Sequence, residues 1–265
     1  MLVLLTNDDG IAAEGLAVLH DRLARDHEVY VVAPDRERSG SGHAITVFQP
    51  LMVHRASLHG RRAAGPARAY AVAGTPADCV KLAITNLLPR RPDLVISGIN
   101  RGPNLGADVF YSGTVSAAIE AVILGVPAMA VSLAAFDGLD YSFAADVACY
   151  LARRILENGL PPNTLLNVNV PATAPEAIAG IRVTRLSGPR WQDSYEERVD
   201  PRGHSYFWLK GEPWGGEPEP GTDTEAIRDN HVSVTPVYLD LTHHAILSQL
   251  EGWGLDLGEV YPEDD

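Results

Sequence analysis

Three polar segments of the sequence follow apolar runs and carry the residue types that hold a divalent cation. Asp8 and Asp9 come directly after the apolar residues 2–6. Ser39 follows a second apolar run, and Asn100 follows a third. Open α/β sheets bind their ligands at the carboxyl ends of parallel strands, so we expect these side chains to converge. Their carboxylate, hydroxyl and carboxamide oxygens suit Mg²⁺ or Mn²⁺ better than Zn²⁺.

Each of these segments also has a purely structural interpretation. The Asn-Asp-Asp-Gly run of residues 7–10 could form a simple turn, because Asn, Asp and Gly tolerate turn conformations. Residues 34–42 could be a solvated loop, and residues 97–104 a glycine-rich connection. The position of Asp8 and Asp9 favours a metal, since two carboxylates crowded at a strand end need a counter-ion.

A fourth segment opens a predicted helix with the small residues Ser112, Gly113 and Thr114. The first turn of a helix presents unpaired backbone N–H groups and the positive end of the helix dipole, and this combination binds phosphate readily. Simple capping by Ser112 or Thr114 would produce the same sequence. The segment is therefore either a phosphate site or a helix cap.

The elements that would position these residues form a pattern of short apolar runs alternating with amphipathic stretches. This pattern is typical of a parallel sheet covered by helices, and we predict a doubly wound, Rossmann-like α/β domain over residues 1–180. The predicted strands are residues 2–6, 28–33, 93–97, 128–132 and 165–170, and the predicted helices lie behind Thr75, at residues 115–122 and at residues 141–158.

The C-terminal part, residues 181–265, has a different composition. We predict strands at residues 181–186 and 231–242 and a terminal helix at residues 244–253, with the turn-rich, loop-like segment 187–230 between the strands. Aromatic residues in that segment suggest a β-rich arm that buries its rings against a partner subunit, although a subdomain folded back on its own core is equally compatible. The aromatic residues are Trp191, Tyr195, Tyr206, Phe207, Trp208 and Trp214.

Composition and charge argue against some classes of binding partner. Apolar residues make up 46% of the chain, as in an ordinary globular protein, and the formal net charge is −13. This acidity disfavours binding to nucleic acid or to an anionic membrane. The chain starts with Met1 and the apolar residues 2–5, without a basic leader segment and without the length to cross a bilayer. We therefore expect a cytoplasmic protein.

Five motifs resemble the successive signatures of the SurE (survival protein E) family. They occur in the family's order and at matching intervals, and the likeness extends over nearly the whole chain through residues 235–236 and 239–242. The five motifs are residues 4–11, 32–40, 74–80, 92–102 and 111–115.

The resemblance implies a divalent-metal-dependent 5′/3′-nucleotidase that hydrolyses nucleoside monophosphates, in some members with exopolyphosphatase activity. It also implies a C-terminal arm that joins subunits into a homodimer or homotetramer. The family's ligands for one Mg²⁺ or Mn²⁺ per subunit fall on Asp8, Asp9, Ser39 and Asn100, with Asp8 and Asp9 as the catalytic pair. The expected phosphate- or substrate-binding residues are Asn7, Gly40, Ser112, Gly113 and Thr114.

Two other functions remain compatible with an acidic loop after the first strand. Asp8 or Asp9 could act as the nucleophile of an aspartyl-phosphate mechanism, but the Asp-x-Asp pattern of such phosphatases is broken by Gly10. The protein could instead be a non-catalytic nucleotide-binding or sensor module. A dinucleotide binder would carry Gly-x-Gly-x-x-Gly at this position, and two carboxylates would repel a pyrophosphate unless a cation intervened.

Three histidines are weaker candidates for chemistry. His43 lies four residues after Ser39 and could serve as a general acid, but nothing in the sequence orients it, so we interpret it as a surface loop residue. His243 and His244 are adjacent, and neighbouring residues on a helix point in directions about 100° apart. They are therefore unsuited to binding one ion together.

Overall fold

The computed structural model describes residues 1–58, 68–188, 191–213 and 216–257. A mainly parallel sheet of nine strands forms the centre of this part of the chain, and two further strands form a separate antiparallel hairpin. The strands are β1 (Leu2–Thr6), β2 (Glu28–Pro34), β3 (Val53–Arg55), β4 (Ala69–Val72), β5 (Leu94–Arg101), β6 (Ala128–Ala134), β7 (Thr164–Pro171), β8 (Gly180–Val183), β9 (Trp191–Val199), β10 (Ser205–Pro213) and β11 (His231–Tyr238).

The strand order in the sheet is β3-β4-β2-β1-β5-β6-β7-β11-β8. Strand β1 pairs in parallel with β2 on one side and with β5 on the other, so the winding direction of the chain reverses at β1. Such a reversal opens a crevice at the carboxyl ends of the strands. The predicted doubly wound α/β fold is confirmed, and the polar loops after β1, β2 and β5 are neighbours at this crevice.

Helices cover both faces of the sheet and account for its apolar strands. In β1, Val3 and Leu5 belong to one buried cluster and Leu4 to the other, because successive strand residues point to opposite faces. The helices are α1 (Glu14–Leu23), α2 (Pro76–Leu82, continued by a π-helical turn at Ala83–Leu87), α3 (Gly113–Ile123), α4 (Ser142–Asn158), α5 (Asp223–Arg228) and α6 (Leu247–Glu251). The first cluster includes α1 and α4 residues, and the second includes α2 and α3 residues.

The start of α2 follows the predicted pattern. Thr75 caps the helix by accepting a hydrogen bond from the Asp78 N–H, and the Asp78 carboxylate accepts one from the Thr75 N–H in return. Pro76 occupies the first turn, where its missing N–H leaves no hydrogen bond unmade. None of the described helices is both long and apolar enough to cross a membrane.

The C-terminal part corrects one expectation about the arm. Much of the described part of residues 187–230 is regular rather than loop-like, because β9 and β10 pair in register from Trp191–Pro213 to Val199–Ser205. The exposed aromatic side chains on this hairpin include Tyr195, Tyr206, Phe207 and Trp208. Trp214, which belongs to the same set of aromatic residues of the predicted arm, lies outside the described residues.

Two connections join the C-terminal part to the sheet domain. Strands β8 and β11 complete the edge of the nine-stranded sheet, where β11 runs antiparallel to β7. The fully buried Asp223, at the start of α5, accepts hydrogen bonds from the backbone N–H groups of Gly106 (2.8 Å) and Ser187 (2.9 Å). Gly106 opens the 3₁₀ turn Gly106–Phe110 that leads into α3.

Candidate active site

The loop after β1 is closed by the side chain of Asn7. The Asn7 amide Nδ2 donates a hydrogen bond to the Gly10 carbonyl (3.0 Å), and the Gly10 N–H donates one to Asn7 Oδ1 (3.2 Å). Gly10 has a φ of +98°, and a Cβ there would lie 2.9 Å from the Arg36 carbonyl carbon. Asn7 therefore shapes the loop that presents the two aspartates, and its contact with substrate stays a prediction.

Asp8 lies against the N-terminus of α3. Its side chain is buried, and Oδ1 accepts a hydrogen bond from the Thr114 hydroxyl. A Cβ added to Gly113 would lie 2.7 Å from the Asp8 Cβ, so only glycine allows the helix to approach this closely. The Asp8 carbonyl accepts a hydrogen bond from the Arg38 N–H (2.7 Å), which ties the loop after β2 to the same place.

Asp9 connects the loop after β1 to the end of β5. The half-buried Asp9 carboxylate accepts a hydrogen bond from the Arg101 N–H at 3.1 Å through Oδ2. Asn100, the residue before Arg101, donates from Nδ2 to the Gly102 carbonyl (2.8 Å). This bond leaves Asn100 Oδ1 as the oxygen that can bind a cation. The backbone thus brings the predicted ligands Asp9 and Asn100 to the same edge.

An irregularity in the sheet places Asn100. The pairing of β5 with β6 shifts register between Ser97 and Asn100. Gly98 lies in the shift with a φ of +141°, and a Cβ there would be 2.3 Å from the Val131 carbonyl oxygen. A glycine in a strand commonly marks such a bulge or a close backbone approach. Here the glycine lies in the register shift that directly precedes Asn100.

The two aspartates are unusually reluctant to ionise without a counter-ion. Burial raises the pKa of the Asp8 carboxyl, and the hydrogen bond from Thr114 opposes this rise. Burial, together with the neighbouring Asp8 charge, raises the pKa of Asp9 from its ordinary 3.8 to about 6. A cation would stabilise both charged forms, so the electrostatics and the oxygen donor set fit a hard divalent ion.

Ser39 and Gly40 lie in the exposed loop after β2. The Ser39 hydroxyl donates a hydrogen bond to Glu37 Oε1 at 2.8 Å, and its oxygen lone pairs remain able to bind a cation. Gly40 has a φ of +70° and open space where a Cβ would be. Glu37 was not predicted as a site residue, although its charge contributes to raising the pKa values of both aspartates.

The start of α3 shows the capping interpretation of its sequence. Ser112 is the cap, because its hydroxyl accepts a hydrogen bond from the Val115 N–H (3.1 Å). Thr114 does not cap, since its hydroxyl bonds to Asp8. The backbone N–H groups of Gly113 and Thr114 belong to the first turn, where a helix has no internal acceptors. The contact of Ser112, Gly113 and Thr114 with phosphate stays a prediction.

His43 has a partner that the sequence did not reveal. His43 Nε2 lies 2.9 Å from Glu120 Oε2, and Lys81 Nζ donates to Glu120 Oε1 at 2.9 Å. Glu120 is buried on α3, where it interrupts an otherwise apolar run, and this interruption was the available signal. The Gly42 N–H also bonds to the Tyr111 carbonyl (3.2 Å). The loop carrying Ser39 is therefore anchored on α3.

Carboxylates alone do not complete the candidate site. Within the residues that the structure describes, no three or more His, Cys, Asp or Glu side chains group as metal ligands. The candidate set instead has two carboxylates, with neutral oxygens from Asn100 and Ser39 as the remaining ligand atoms. Such mixed oxygen sets, completed by water, are ordinary for Mg²⁺.

Comparison with known proteins shows close relatives over nearly the whole length. The family model described as "Survival protein SurE" matches residues 3–193. The 5′-nucleotidase SurE of Symbiobacterium thermophilum is 54% identical over 256 residues, covering 96% of this chain and 98% of the relative. The 5′-nucleotidase SurE of Heliobacterium modesticaldum is 49% identical over 253 residues, covering 96% of this chain and 92% of the relative.

A solved structure is similar to this chain in both fold and sequence. The crystal structure of the SurE protein from Aquifex aeolicus superposes with a TM-score of 0.84 at 39% identity. The match covers 96% of this chain and 100% of the Aquifex chain. The resemblance seen in the motifs is thus confirmed, and the chain belongs to the SurE family.

Proposed function

We propose that this protein is a divalent-metal-dependent 5′-nucleotidase that hydrolyses nucleoside 5′- and 3′-monophosphates to nucleoside and phosphate, with short-chain polyphosphate as a further substrate class. Relatives about half identical over almost the entire chain carry the name 5′-nucleotidase. The observation that carries the proposal is the contact between Asp8 and the first turn of α3. It places a carboxylate pair beside N–H groups suited to phosphate.

The proposed metal site holds one Mg²⁺ or Mn²⁺ per subunit. Asp8, Asp9 and Asn100 would supply ligand oxygens from adjacent strand ends, and Ser39 would add its hydroxyl oxygen from the loop after β2. When bound, the cation supplies Lewis acidity toward a phosphoryl oxygen and activates water at neutral pH. The raised pKa values of Asp8 and Asp9 support this assignment, because a bound cation relieves the cost of their ionised forms.

The protein's own groups would hold and orient the phosphoryl group. The backbone N–H groups of Gly113 and Thr114 provide fixed donors at the positive end of α3, and such donors stabilise charge that develops during phosphoryl transfer. The Thr114 hydroxyl fixes the direction of the Asp8 carboxylate. In the overall reaction, water adds to phosphorus, the ester P–O bond breaks, and the nucleoside oxygen leaves with a proton.

A substrate panel tests the activity directly. We expect release of inorganic phosphate from 5′-AMP, 3′-AMP and tripolyphosphate with Mn²⁺ or Mg²⁺, and no release after EDTA treatment until metal is restored. Calorimetry with 5′-AMP provides a parallel binding measurement. Tight nucleotide binding without phosphate release under any metal would favour the non-catalytic nucleotide-binding or sensor module instead.

The neutral ligands should matter less than the aspartates. We expect Asn100→Ala and Ser39→Ala to raise the Mn²⁺ concentration needed for half-maximal activity by about 10- to 100-fold, the loss typical of one polar contact to a charged group. Ser41→Ala is the matched control, because Ser41 lies on the same loop and its buried hydroxyl has no hydrogen-bond partner among the described residues. Unchanged metal titrations for both Asn100→Ala and Ser39→Ala would place the ion elsewhere.

We further propose that the arm of residues 187–230 joins subunits into a homodimer or homotetramer. Strands β9 and β10 form a two-stranded sheet separate from the main sheet, and Phe207 and Trp208 on it are more than half exposed, at 58% and 59%. A two-stranded hairpin is marginally stable alone, so burial against a second copy would stabilise it. Closed two-fold symmetry is the commonest arrangement of identical chains.

Removing the hairpin should reduce the size of the assembly. We expect replacement of residues 191–213 by a short Gly-Ser linker to yield a smaller particle in sedimentation, with the circular dichroism of the α/β domain retained. This deletion spares Asp223, whose carboxylate holds Gly106 and Ser187. A full-length protein that is already monomeric at micromolar concentration would contradict the oligomerisation proposal.

A further inference from the structure

Phe136 is an exposed aromatic residue whose ring lies against the backbone of Gly102. It follows the end of β6, and 63% of the residue is accessible to solvent. The ring packs on Gly102, where an added Cβ would lie 2.4 Å from Phe136 Cε1. Any side chain at position 102 would therefore collide with the ring. The packing leaves the rest of the phenyl group open to solvent.

The support under Phe136 is part of the candidate metal site. The Gly102 carbonyl accepts the hydrogen bond from Asn100 Nδ2 (2.8 Å), and the Gly102 N–H donates to the Leu133 carbonyl (3.0 Å) at the end of β6. The preceding residue, Arg101, donates its N–H to Asp9. A continuous series of contacts thus connects the aspartate pair to the phenyl ring.

The sheet sets the distance between the aspartate pair and Phe136. Phe136 follows β6, Asn100 lies at the end of β5, and Asp8 and Asp9 follow β1. These three strands are neighbours, so the β1 and β6 ends are separated by about 10 Å, two strand spacings. This separation is on the scale of a nucleoside monophosphate, whose base and phosphate lie at opposite ends of the sugar.

We propose that Phe136 is the platform on which the nucleobase of the substrate stacks. This inference rests on the proposed function, which places the phosphate at Asp8 and the first turn of α3. A rigid ring with an exposed face binds a base at low entropic cost, and base–aromatic stacking tolerates every base because each has a π-face. The enzyme should therefore accept purine and pyrimidine nucleotides alike.

The test measures the base and the phosphate ends of the ligand separately. We expect Phe136→Ala to raise KM for 5′-AMP and the inhibition constant of adenosine by about 5- to 150-fold, the effect of losing one base–aromatic stack. Inhibition by inorganic phosphate should stay as in the wild type. Phe136→Trp should retain adenosine inhibition. Phe48→Ala is the matched control, because Phe48 is an exposed phenylalanine, at 98%, outside the connection between Asp9 and Phe136.

Two further variants separate stacking from other roles. Phe136→Leu keeps apolar cover over Gly102 without an aromatic face, so wild-type adenosine inhibition in this variant would overturn the proposal. An equal loss of phosphate inhibition in Phe136→Ala would also overturn it, since the ring would then only support the loop of Asn100. Tyr111→Ala addresses one of the two exposed rings, Phe110 and Tyr111, that lie just before α3. Loss of adenosine inhibition in Tyr111→Ala but not in Phe136→Ala would assign the base elsewhere.

Failure of the stacking proposal can be distinguished from failure of the proposed function. If the wild-type protein releases no phosphate from 5′-AMP, the hydrolase assignment fails. Adenosine binding measured by calorimetry on the wild type, Phe136→Ala and Phe48→Ala still tests the platform in that event. Equal adenosine affinity in all three proteins would refute the role of Phe136.

Discussion

Asp8→Asn and Asp9→Asn are each expected to lower kcat/KM for 5′-AMP by about a thousandfold or more at saturating Mn²⁺, with the fold intact. Each substitution removes a carboxylate ligand, and a bound cation contributes several kcal/mol of transition-state stabilisation. Phosphate release gives the rate, calorimetry gives the metal affinity, and circular dichroism checks the fold. Near-wild-type rates in both variants would refute the metal assignment to these aspartates.

Asp9→Asn should also raise the stability of the metal-free protein, by an amount that depends on pH. The pKa of Asp9 is higher in the folded state, about 6, than its ordinary value of 3.8. A folded-state pKa above the unfolded value means that stability falls as pH rises through this window. In EDTA at pH 7.5, Asp9→Asn should therefore have a higher Tm than the wild type, and the difference should vanish below about pH 4.

Asp26→Asn is the control for this stability measurement, because Asp26 is an exposed carboxylate that lies between α1 and β2 rather than in the loop after β1. It should show the same Tm as the wild type at both pH values. Added Mn²⁺ should stabilise the wild type and reverse its order with Asp9→Asn. A metal-free Asp9→Asn protein that is less stable than the wild type at pH 7.5 would contradict the expected repulsion between the carboxylates.

Gly113→Ala is expected to reduce kcat/KM by about 100-fold, the cost that a displacement of about 1 Å can have in an active site. The new Cβ would lie 2.7 Å from the Asp8 Cβ and 3.1 Å from the Pro76 side chain, so either α3 or the loop after β1 must move. Such overpacking should also lower the free energy of unfolding by about 1–3 kcal/mol. Kinetics and thermal denaturation measure the two effects.

The control for Gly113→Ala is Gly188→Ala, because a Cβ at Gly188 meets nothing within 4 Å and its φ is not in the left-handed region. It reports the general effect of adding a methyl group to the chain. Gly113→Ala should also weaken Mn²⁺ binding, since the displaced carboxylate is a predicted ligand. Wild-type activity in Gly113→Ala would show that α3 does not pack on Asp8 during catalysis.

The strand positions could be predicted because buried parallel strands carry nearly continuous apolar runs. β1 coincides with the predicted residues 2–6, and α4 begins one residue after the predicted start at Tyr141. Helix α1 was missed, since Ala13 precedes it without a side-chain cap and the usual start signal is absent. Strands β3 and β4 were also missed, since they have only three and four residues, too few to show a clear pattern.

Asp8 and Asp9 follow β1, and Asn100 lies at the end of β5. The order of these strand ends follows from the α/β alternation, which is why the three residues could be predicted to lie at one edge of the sheet. The contacts that orient them could not be predicted in this way. The bond from Thr114 to Asp8 and the pairing of His43 with Glu120 depend on how α3 is rotated and how far it extends toward β1. That geometry is set by tertiary packing rather than by local sequence pattern.

The carboxylate of Asp223 has a consequence for protein engineering. Because it holds both Gly106, ahead of α3, and Ser187, just before the hairpin, a chain shortened before residue 223 would leave two backbone donors without their acceptor. Chimaeras that exchange arms between relatives should therefore be cut inside the hairpin ends, at residues 191 and 213. Each recipient then keeps its own hydrogen bonds between the start of α5 and the turn that precedes α3.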